Sequence, residues 1–221
     1  MNKKVLCLFT CILFLLLFSC GLDVYYFVEP PKSSVEISNP PDATFQVFSF
    51  ITADSLNTDP GVVGQSVLFL GTDVYYKIYT DFSVLESQKS TINTANLEEY
   101  TENGINKLNS LGFQKITSNP YSDPLIKKST SNQTVKIRLF DTSVYKSNID
   151  ISGVDVGKPL RYDGSSFNIR SGEILEGLDI NGNPNSDSNY YVLMYAVSVS
   201  TVNLSQRIYS SLCPLGYLQL Q

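Results

Sequence analysis

The stretch Tyr190-Tyr191-Val192-Leu193-Met194-Tyr195-Ala196-Val197-Ser198-Val199-Ser200 decides the fold, because it is the longest run of residues that favour extended structure. We therefore predict a central β-strand here. Shorter runs of the same kind precede it, among them Phe45–Ala53, Val74–Tyr79 and Thr134–Phe140. Turn-forming residues separate these runs, so the chain is predicted to be mainly β.

Further strands are predicted where aliphatic and aromatic residues cluster between turns: Val24–Val28, Val35–Ile37, Ser66–Leu70, Phe113–Thr117, Ser166–Arg170 and Gly216–Leu220. Prolines at Pro30-Pro31 and Pro40-Pro41 mark strand ends or a sheet edge, since proline cannot donate into a ladder. Gly71-Thr72-Asp73 is predicted to form a bulge or a turn between two strands.

Helical spacing interrupts the β pattern between Asp81 and Leu111. Apolar residues recur at that spacing near 96–111, and they predict one amphipathic helix with Asn96 as its N-cap and Gly112 at its end. A second, shorter helix around 84–91 is a further possibility, without a clear cap. The helical insertion is therefore placed near 84–111.

The N-terminus has the pattern of a bacterial lipoprotein signal. Lys3-Lys4 precede an apolar run of 14 residues, which is shorter than a membrane span and ends in Leu17-Phe18-Ser19-Cys20. We predict a signal peptide over 1–19 and lipidation of Cys20, whose thiol is the nucleophile that takes a diacylglyceryl group. The alternative is an uncleaved or simply cleaved signal in which Cys20 is a chance cysteine.

Composition limits the mature chain to a few classes. Removing residues 1–19 takes away two lysines and no acid, so the formal net charge changes from −5 to −7. Such an acidic chain is not expected to be attracted non-specifically to nucleic acid or to anionic lipid headgroups. We predict a short lipidated connector over 20–34 and a single β-sandwich domain over 35–221.

The absent residue types are also informative. The chain contains no histidine and no tryptophan, which excludes Ser-His-Asp and Cys-His catalytic arrangements and histidine-based zinc sites. Once the signal is removed and Cys20 is acylated, Cys213 is the remaining cysteine, so no intramolecular disulfide is expected. Cys213 is interpreted as a buried small apolar residue, and we expect no cofactor.

Two segments resemble known sandwich domains. Val74–Tyr79 resembles the third strand of fibronectin type III and immunoglobulin-like domains, and Tyr190–Val197 resembles the sixth, which is its neighbour in one sheet. The resemblance implies that Tyr190 or Tyr191 fills the tyrosine-corner position. With about 110 residues between these strands, we interpret the chain as an elaborated sandwich with an inserted helix. As a whole it resembles the uncharacterised lipoproteins of treponemal spirochaetes.

Two features suggest binding sites. Asp179–Asn189 supplies oxygen ligands at alternating positions, as a calcium loop does, although a plain solvated loop before the next strand explains it as well. The tyrosine pairs Tyr25-Tyr26, Tyr75-Tyr76 and Tyr190-Tyr191 place one ring on each face of a strand. One of each pair could form an exposed platform for carbohydrate or peptide, or all could simply pack the sheets.

Acidic residues suggest a third kind of site. The carboxylates considered for glycosidic hydrolysis are Glu98, Glu99, Glu102, Glu173 and Glu176. No local pattern selects a pair from them, and solvated surface charge is the better explanation.

The sequence therefore favours a lipid-anchored, non-catalytic binding or adhesion module of the bacterial envelope, with an unknown protein or carbohydrate ligand. The alternatives are a structural or assembly component of an envelope complex and, third, a carboxylate-dependent hydrolase. Gly21-Leu22 after Cys20 contains no aspartate of the kind that retains lipoproteins at the inner membrane. The outer membrane is thus the expected location.

Overall fold

The fold is described from a computed structural model. It describes residues 28–33, 37–38, 47–53, 67–97, 102–116, 124–129, 132–139, 146–157, 159, 179–182, 189–203 and 205–220. The predicted signal peptide, Cys20, most of the predicted strand at 24–28 and the predicted strand at 166–170 lie outside these residues. Among the described residues, no helix combines the length and apolar composition needed to cross a bilayer.

The described strands form two sheets. Their bounds are β1 Ile37–Ser38, β2 Val47–Ile51, β3 Val67–Tyr79, β4 Gln114–Lys115, β5 Ile126–Lys127, β6 Thr134–Arg138, β7 Asn148–Ile151, β8 Val154–Asp155, β9 Ile180–Asn181, β10 Tyr190–Val202, β11 Gln206–Tyr209 and β12 Cys213–Leu220. The large sheet has the order β1-β12-β10-β3-β4, and the small sheet has the order β2-β6-β7-β8. The prediction of a mainly β, sandwich-like fold is confirmed.

β3 and β10 form the centre of the large sheet. They pair antiparallel over nearly their whole length, with Tyr75 opposite Tyr195, as the resemblance to a third and a sixth strand implied. Nearly every residue of both strands is buried from Phe69 onward in β3 and throughout β10. A strand covered on both faces needs apolar residues on both, which explains why Tyr190–Ser200 is an almost continuous apolar run.

The predicted bulge interrupts β3 without ending it. The register between β3 and β10 shifts between Val199 and Ser200, so Leu70 has no opposite residue. Gly71 follows with a φ of +148°, and a Cβ there would lie 2.0 Å from the carbonyl oxygen of Ile126. Glycine is therefore required at this position, because β5 approaches β3 too closely for a side chain.

The outer edge of β3 is covered by three short strands. β5 pairs with Gly71 and Thr72, β4 with Tyr75 and Tyr76, and β9 with the last two residues of the strand. Such covering keeps the edge of a long strand from pairing with another chain.

The two sheets enclose one apolar core. β2 and β6 contribute Phe48, Phe50, Val135 and Ile137, which point inward from alternating positions and are at most 1% exposed. They pack against the inward residues of the large sheet, which are Val74, Tyr76, Ile78, Tyr190, Val192, Met194, Ala196, Cys213, Leu215 and Leu218. The small sheet therefore covers one face of the large sheet.

Two helices cover the opposite face of the large sheet. Helix α1 spans Phe82–Asn96 and α2 spans Glu102–Ser110. Their inward residues Leu85, Ile92, Ile105 and Leu108 pack on the sheet residues Tyr75, Tyr79, Leu193, Tyr195, Val197 and Tyr217. The molecule thus has three layers: small sheet, large sheet, helices.

The helix boundaries correct the sequence prediction. The shorter helix around 84–91 exists and is longer than predicted, while the helix predicted near 96–111 begins at Glu102. Asn96 is not an N-cap. It is the last residue of α1. Its Nδ2 donates a hydrogen bond of 2.9 Å to the carbonyl of Leu212, and its Oδ1 accepts one of 2.6 Å from the N–H of Leu212. Gly112 does end α2, with a φ of +78°.

The N-cap of α1 is Asp81, which the sequence analysis missed. Its carboxylate accepts hydrogen bonds from the backbone N–H and the hydroxyl of Ser83 at 2.8 and 2.7 Å. These bonds favour the ionised form and hold the pKa of Asp81 below its ordinary value. The cap places Phe82 as the first residue of α1, directly over the sheet.

Candidate functional site

A cluster of three aromatic rings lies where α1 begins, and we call it the aromatic face. It consists of Phe82, Tyr191 and Tyr217. The ring centroid of Phe82 is 5.2 Å from that of each tyrosine, at interplanar angles of 48° and 64°. These are tilted and edge-on contacts, which are favourable for aromatic pairs.

The sheet register brings the two tyrosines together. β10 and β12 are antiparallel, with Leu193 opposite Tyr217 and Tyr191 opposite Gln219. Tyr191 and Tyr217 are therefore diagonal neighbours on the helix side of the sheet. Phe82 is 39% exposed, Tyr191 is half-buried and Tyr217 is buried, so the face is open to solvent mainly at Phe82.

Two charged side chains of α1 flank the aromatic face. The Nζ of Lys89 lies 5.5 Å from the ring centroid of Tyr217, close enough for a cation–π interaction. Burial and, after it, the negative charge of Glu86 raise the pKa of Tyr217, and Lys89 opposes them. The Tyr217 hydroxyl therefore stays protonated at neutral pH. The face combines aromatic surface, a cation and hydroxyl groups, which suits binding of a sugar or a peptide.

The tyrosine pairs mostly serve packing. Tyr75 and Tyr76 are both buried on opposite faces of β3, and Tyr190 is buried between the sheets. Tyr191 is the described member of these pairs that retains partial exposure, while Tyr25-Tyr26 lies outside the described residues. For the three buried rings, the sheet-packing alternative is confirmed.

The described part of the proposed calcium loop is built into the fold. Asp179 is buried, its Oδ2 accepts a hydrogen bond of 2.8 Å from the Tyr76 hydroxyl, and its carbonyl accepts one from the N–H of Ile78. β9 then pairs in parallel with the end of β3. The carboxylate that would be the first calcium ligand of the loop is thus hydrogen-bonded to Tyr76 within the fold. Among the described residues, no three acidic or cysteine side chains lie together as a metal site would need.

The carboxylates proposed for hydrolysis are mostly outside the described residues. Glu102 is described, and it lies half-buried in the first turn of α2. Asp73, not singled out from the sequence, is buried in β3. Its Oδ2 forms an ion pair of 2.7 Å with Lys115, and its Oδ1 accepts from the N–H of Leu125 at 3.0 Å. These bonds attach the segments after α2 to β3, which is a structural role.

Lys77 is a buried lysine on the helix side of β3. Its Nζ donates to the carbonyl of Leu111 just after α2 and lies 5.6 Å from the Tyr79 ring centroid. Burial lowers the pKa of Lys77. A lysine of this kind can act as a nucleophile in enzymes. Here its ammonium satisfies a carbonyl at the negative end of the α2 dipole.

Cys213 lies where the sequence analysis expected it. Its thiol is buried between the sheets, 6% exposed, and Cys213 lies opposite Ala196 in β10. The interpretation as a small apolar core residue is confirmed.

Comparison of the chain with protein-family models, with curated proteins and with solved structures finds no match. Of the residues that form the aromatic face, the sequence analysis named only Tyr191. The positions of Phe82 and Tyr217 in this cluster depend on where α1 begins and on the β10–β12 register. The one local sequence signal for the start of α1 is Asp81, a residue type that can cap a helix.

Proposed function

We propose that the protein is a lipoprotein of the bacterial envelope, anchored by acyl chains on Cys20 and acting as a non-catalytic binding or adhesion module. The anchor is supported by the signal pattern that ends in Leu17-Phe18-Ser19-Cys20. Two or three acyl chains are enough for stable anchoring, whereas one is marginal. The absence of aspartate directly after Cys20 favours the outer membrane.

The aromatic face carries the binding proposal. Most buried chemistry-bearing groups that the structure describes have structural partners, as Asp73, Asp179 and Lys77 show. Phe82 is instead a large apolar ring that remains 39% exposed on an ordered helix, above two tyrosines. A ligand that covered it would bury the exposed apolar surface of this ring. The ligand classes this suits are carbohydrate and protein, not nucleic acid.

A structural or assembly role is the second candidate, and one observation favours it. Leu97, directly after α1, is 86% exposed, and an interface with another protein of an envelope complex would bury this side chain. A carboxylate-dependent hydrolase has no comparable support, since the buried carboxylates Asp73 and Asp179 are tied to Lys115 and Tyr76.

Photo-crosslinking in living cells tests these roles. A benzophenone amino acid replaces Phe82, Leu97 or, as a control on the exposed side of α1, Thr91. The binding proposal expects an adduct from position 82 and none from 91. An adduct from position 97 alone would favour the assembly role, and no adduct from any position would count against both. Protease treatment of intact cells then shows whether the aromatic face is at the cell surface.

A further inference from the structure

The first described residues fix where the chain enters the domain. Val28 is 2% exposed and packs in a small apolar cluster with Ala53, Phe69, Val202 and Ile208. Lys32 then forms a two-bond bridge to Ile51, at 2.9 and 2.7 Å between backbone nitrogen and oxygen. We call this part of the molecule, where β2 ends and β3 begins, the tether end.

The aromatic face lies at the opposite end of the large sheet. Val202 is the last residue of β10, while Tyr191 is its second residue, eleven positions earlier. At the rise of an extended strand these positions are about 35 Å apart. A long, rigid sheet therefore separates the tether end from the aromatic face.

The tether end is close to the proposed anchor. Val28 follows Cys20 by eight positions, and eight residues can span at most about 30 Å even when fully extended. If the acyl chains of Cys20 are in the bilayer, the tether end cannot move far from the lipid surface.

Exposed apolar side chains are concentrated at this end. Ile51 at the end of β2 is 40% exposed, Leu68 near the start of β3 is 38% exposed, and Val154 is 62% exposed. Val154 follows the turn of the β7–β8 hairpin, and Ser152 in that turn bonds the carbonyl of Thr134, which is opposite Ile51. Three of the five large apolar side chains exposed among the described residues therefore lie at the tether end.

Lysines flank these apolar residues. Lys127 and Lys128 are exposed beside the start of β3. The side chain of Lys32 is 65% exposed as well, but its Nζ forms an ion pair of 2.5 Å with Glu29. The nearest described carboxylates on the hairpin, Asp150 and Asp155, accept hydrogen bonds from backbone N–H groups of the hairpin and of the turn after it. Apolar side chains surrounded by long cations are the combination that suits a bilayer interface, where lysine stems lie along lipid and the ammonium groups reach phosphates.

We infer that the tether end rests on the lipid headgroups, with Ile51, Leu68 and Val154 inserted into the interface and with Lys127 and Lys128 against lipid phosphates. This inference rests on the proposed anchoring at Cys20. It places the long axis of the large sheet away from the membrane and holds the aromatic face about 35 Å farther out than the tether end, where a ligand can reach it.

Fluorescence labelling of the lipidated, full-length product tests this orientation. Leu68→Cys and Val154→Cys, with Glu86→Cys as the control beside the aromatic face, are made in a Cys213→Ala background so that only the new thiol reacts. Each variant carries an environment-sensitive nitrobenzoxadiazole label. The proteins are reconstituted in vesicles of phosphatidylethanolamine and phosphatidylglycerol, with or without spin-labelled lipid as a quencher.

The expected result is a blue-shifted emission that spin-labelled lipid quenches strongly at positions 68 and 154 and hardly at 86. Equal, weak quenching at all three positions in acylated, vesicle-bound protein would overturn the orientation and leave the anchor intact. A mass spectrum without acyl chains on Cys20, together with no vesicle binding, would instead show that the anchor itself had failed, and the orientation with it.

Discussion

At the scale of single residues, four buried hydroxyl side chains differ in whether they have hydrogen-bond partners. Ser198, Ser200 and Thr72 lie in the central strands with side-chain oxygens that have no hydrogen-bond partner in the structure. Ser210 is equally buried, but its Oγ accepts from the N–H of Ser198 at 3.0 Å and donates to the carbonyl of Ser211 at 2.7 Å. A buried hydroxyl without a partner lowers stability, because it loses its hydrogen bonds to water and gains none in the protein.

Alanine substitutions of Ser200 and Ser210 should have different effects on the free energy of unfolding. Ser200→Ala is expected to leave the free energy of unfolding unchanged or to raise it by up to about 1 kcal/mol, because it removes an unsatisfied polar group. Ser210→Ala is expected to lower it by about 1 to 3 kcal/mol, because a buried N–H loses its acceptor. Urea denaturation measures both, and an equal loss in the two variants would contradict the assignment.

Two buried titratable groups should change the stability of the protein in opposite directions as the pH rises into the alkaline range. Burial raises the pKa of Tyr79 above its ordinary value of 10.0 and lowers that of Lys77 below 10.5. Above pH 10.0 the unfolded chain loses the Tyr79 proton that the folded chain keeps, so this tyrosine makes stability fall as pH rises. Between the lowered pKa of Lys77 and 10.5, the unfolded chain binds more protons, so this lysine makes stability rise with pH.

Denaturation curves from about pH 8 to about pH 11 check this pair of slopes. Tyr79→Phe is expected to make the alkaline loss of stability shallower, and Lys77→Met is expected to make it steeper. The slope is the readout because each variant also removes a hydrogen bond, to Gln88 or to Leu111. Unchanged slopes in both variants would mean that neither group is held out of water.

At the scale of elements, the contact between α1, α2 and the chain before β12 has little free space. A Cβ on Gly104 in α2 would lie 2.7 Å from Oδ1 of Asn96 and 2.9 Å from Cγ of Leu212. The Asn96 oxygen is held in place, since the Asn96 amide makes two hydrogen bonds to the backbone of Leu212, and the Leu212 side chain is buried.

Gly104→Ala is therefore expected to destabilise the protein by about 1 to 3 kcal/mol, the usual cost of overpacking. In an open helix, the same change would stabilise by about 0.5 to 1 kcal/mol. Asn106→Ala on the exposed side of α2 is the matched control, with an expected change within about 0.5 kcal/mol. Thermal unfolding of both variants gives the sign, and a stabilised Gly104→Ala would show that the helices do not meet as described.

The helices also show what sequence patterns miss. Helical spacing near 96–111 correctly predicted a helix with one apolar face, on which Ile105 and Leu108 are buried, and an end at Gly112, because these are local properties of a helix. Asn96 has the side chain of a cap, yet its partner is Leu212, which lies 116 positions away. No local sequence pattern indicates that Asn96 has this distant partner.

At the scale of the whole molecule, burial made one part of the fold predictable and a resemblance implied another. The almost continuous apolar run at Tyr190–Ser200 indicated a central strand. Its pairing with Val74–Tyr79 was implied by the resemblance to the third and sixth strands of a sandwich, and the two strands do pair. The partner of β2 was not predictable, because an alternating strand specifies which face is buried but not which strand lies beside it. The aromatic face depends on the start of α1 and the β10–β12 register, and only Tyr191 was visible in advance.

The proposed membrane anchor bears on all three scales, because acyl chains on Cys20 would decide what the domain can reach and which end of it faces outward. Mass spectrometry of the N-terminal peptide of the mature protein, purified from envelope membranes, tests it most directly. The expected result is a chain that begins at Cys20 with a diacylglyceryl thioether on that residue, and a Cys20→Ser control that keeps residues 1–19. A mature chain that begins elsewhere, or one in which Cys20 carries a free thiol, would contradict the anchored binding module proposed for this protein.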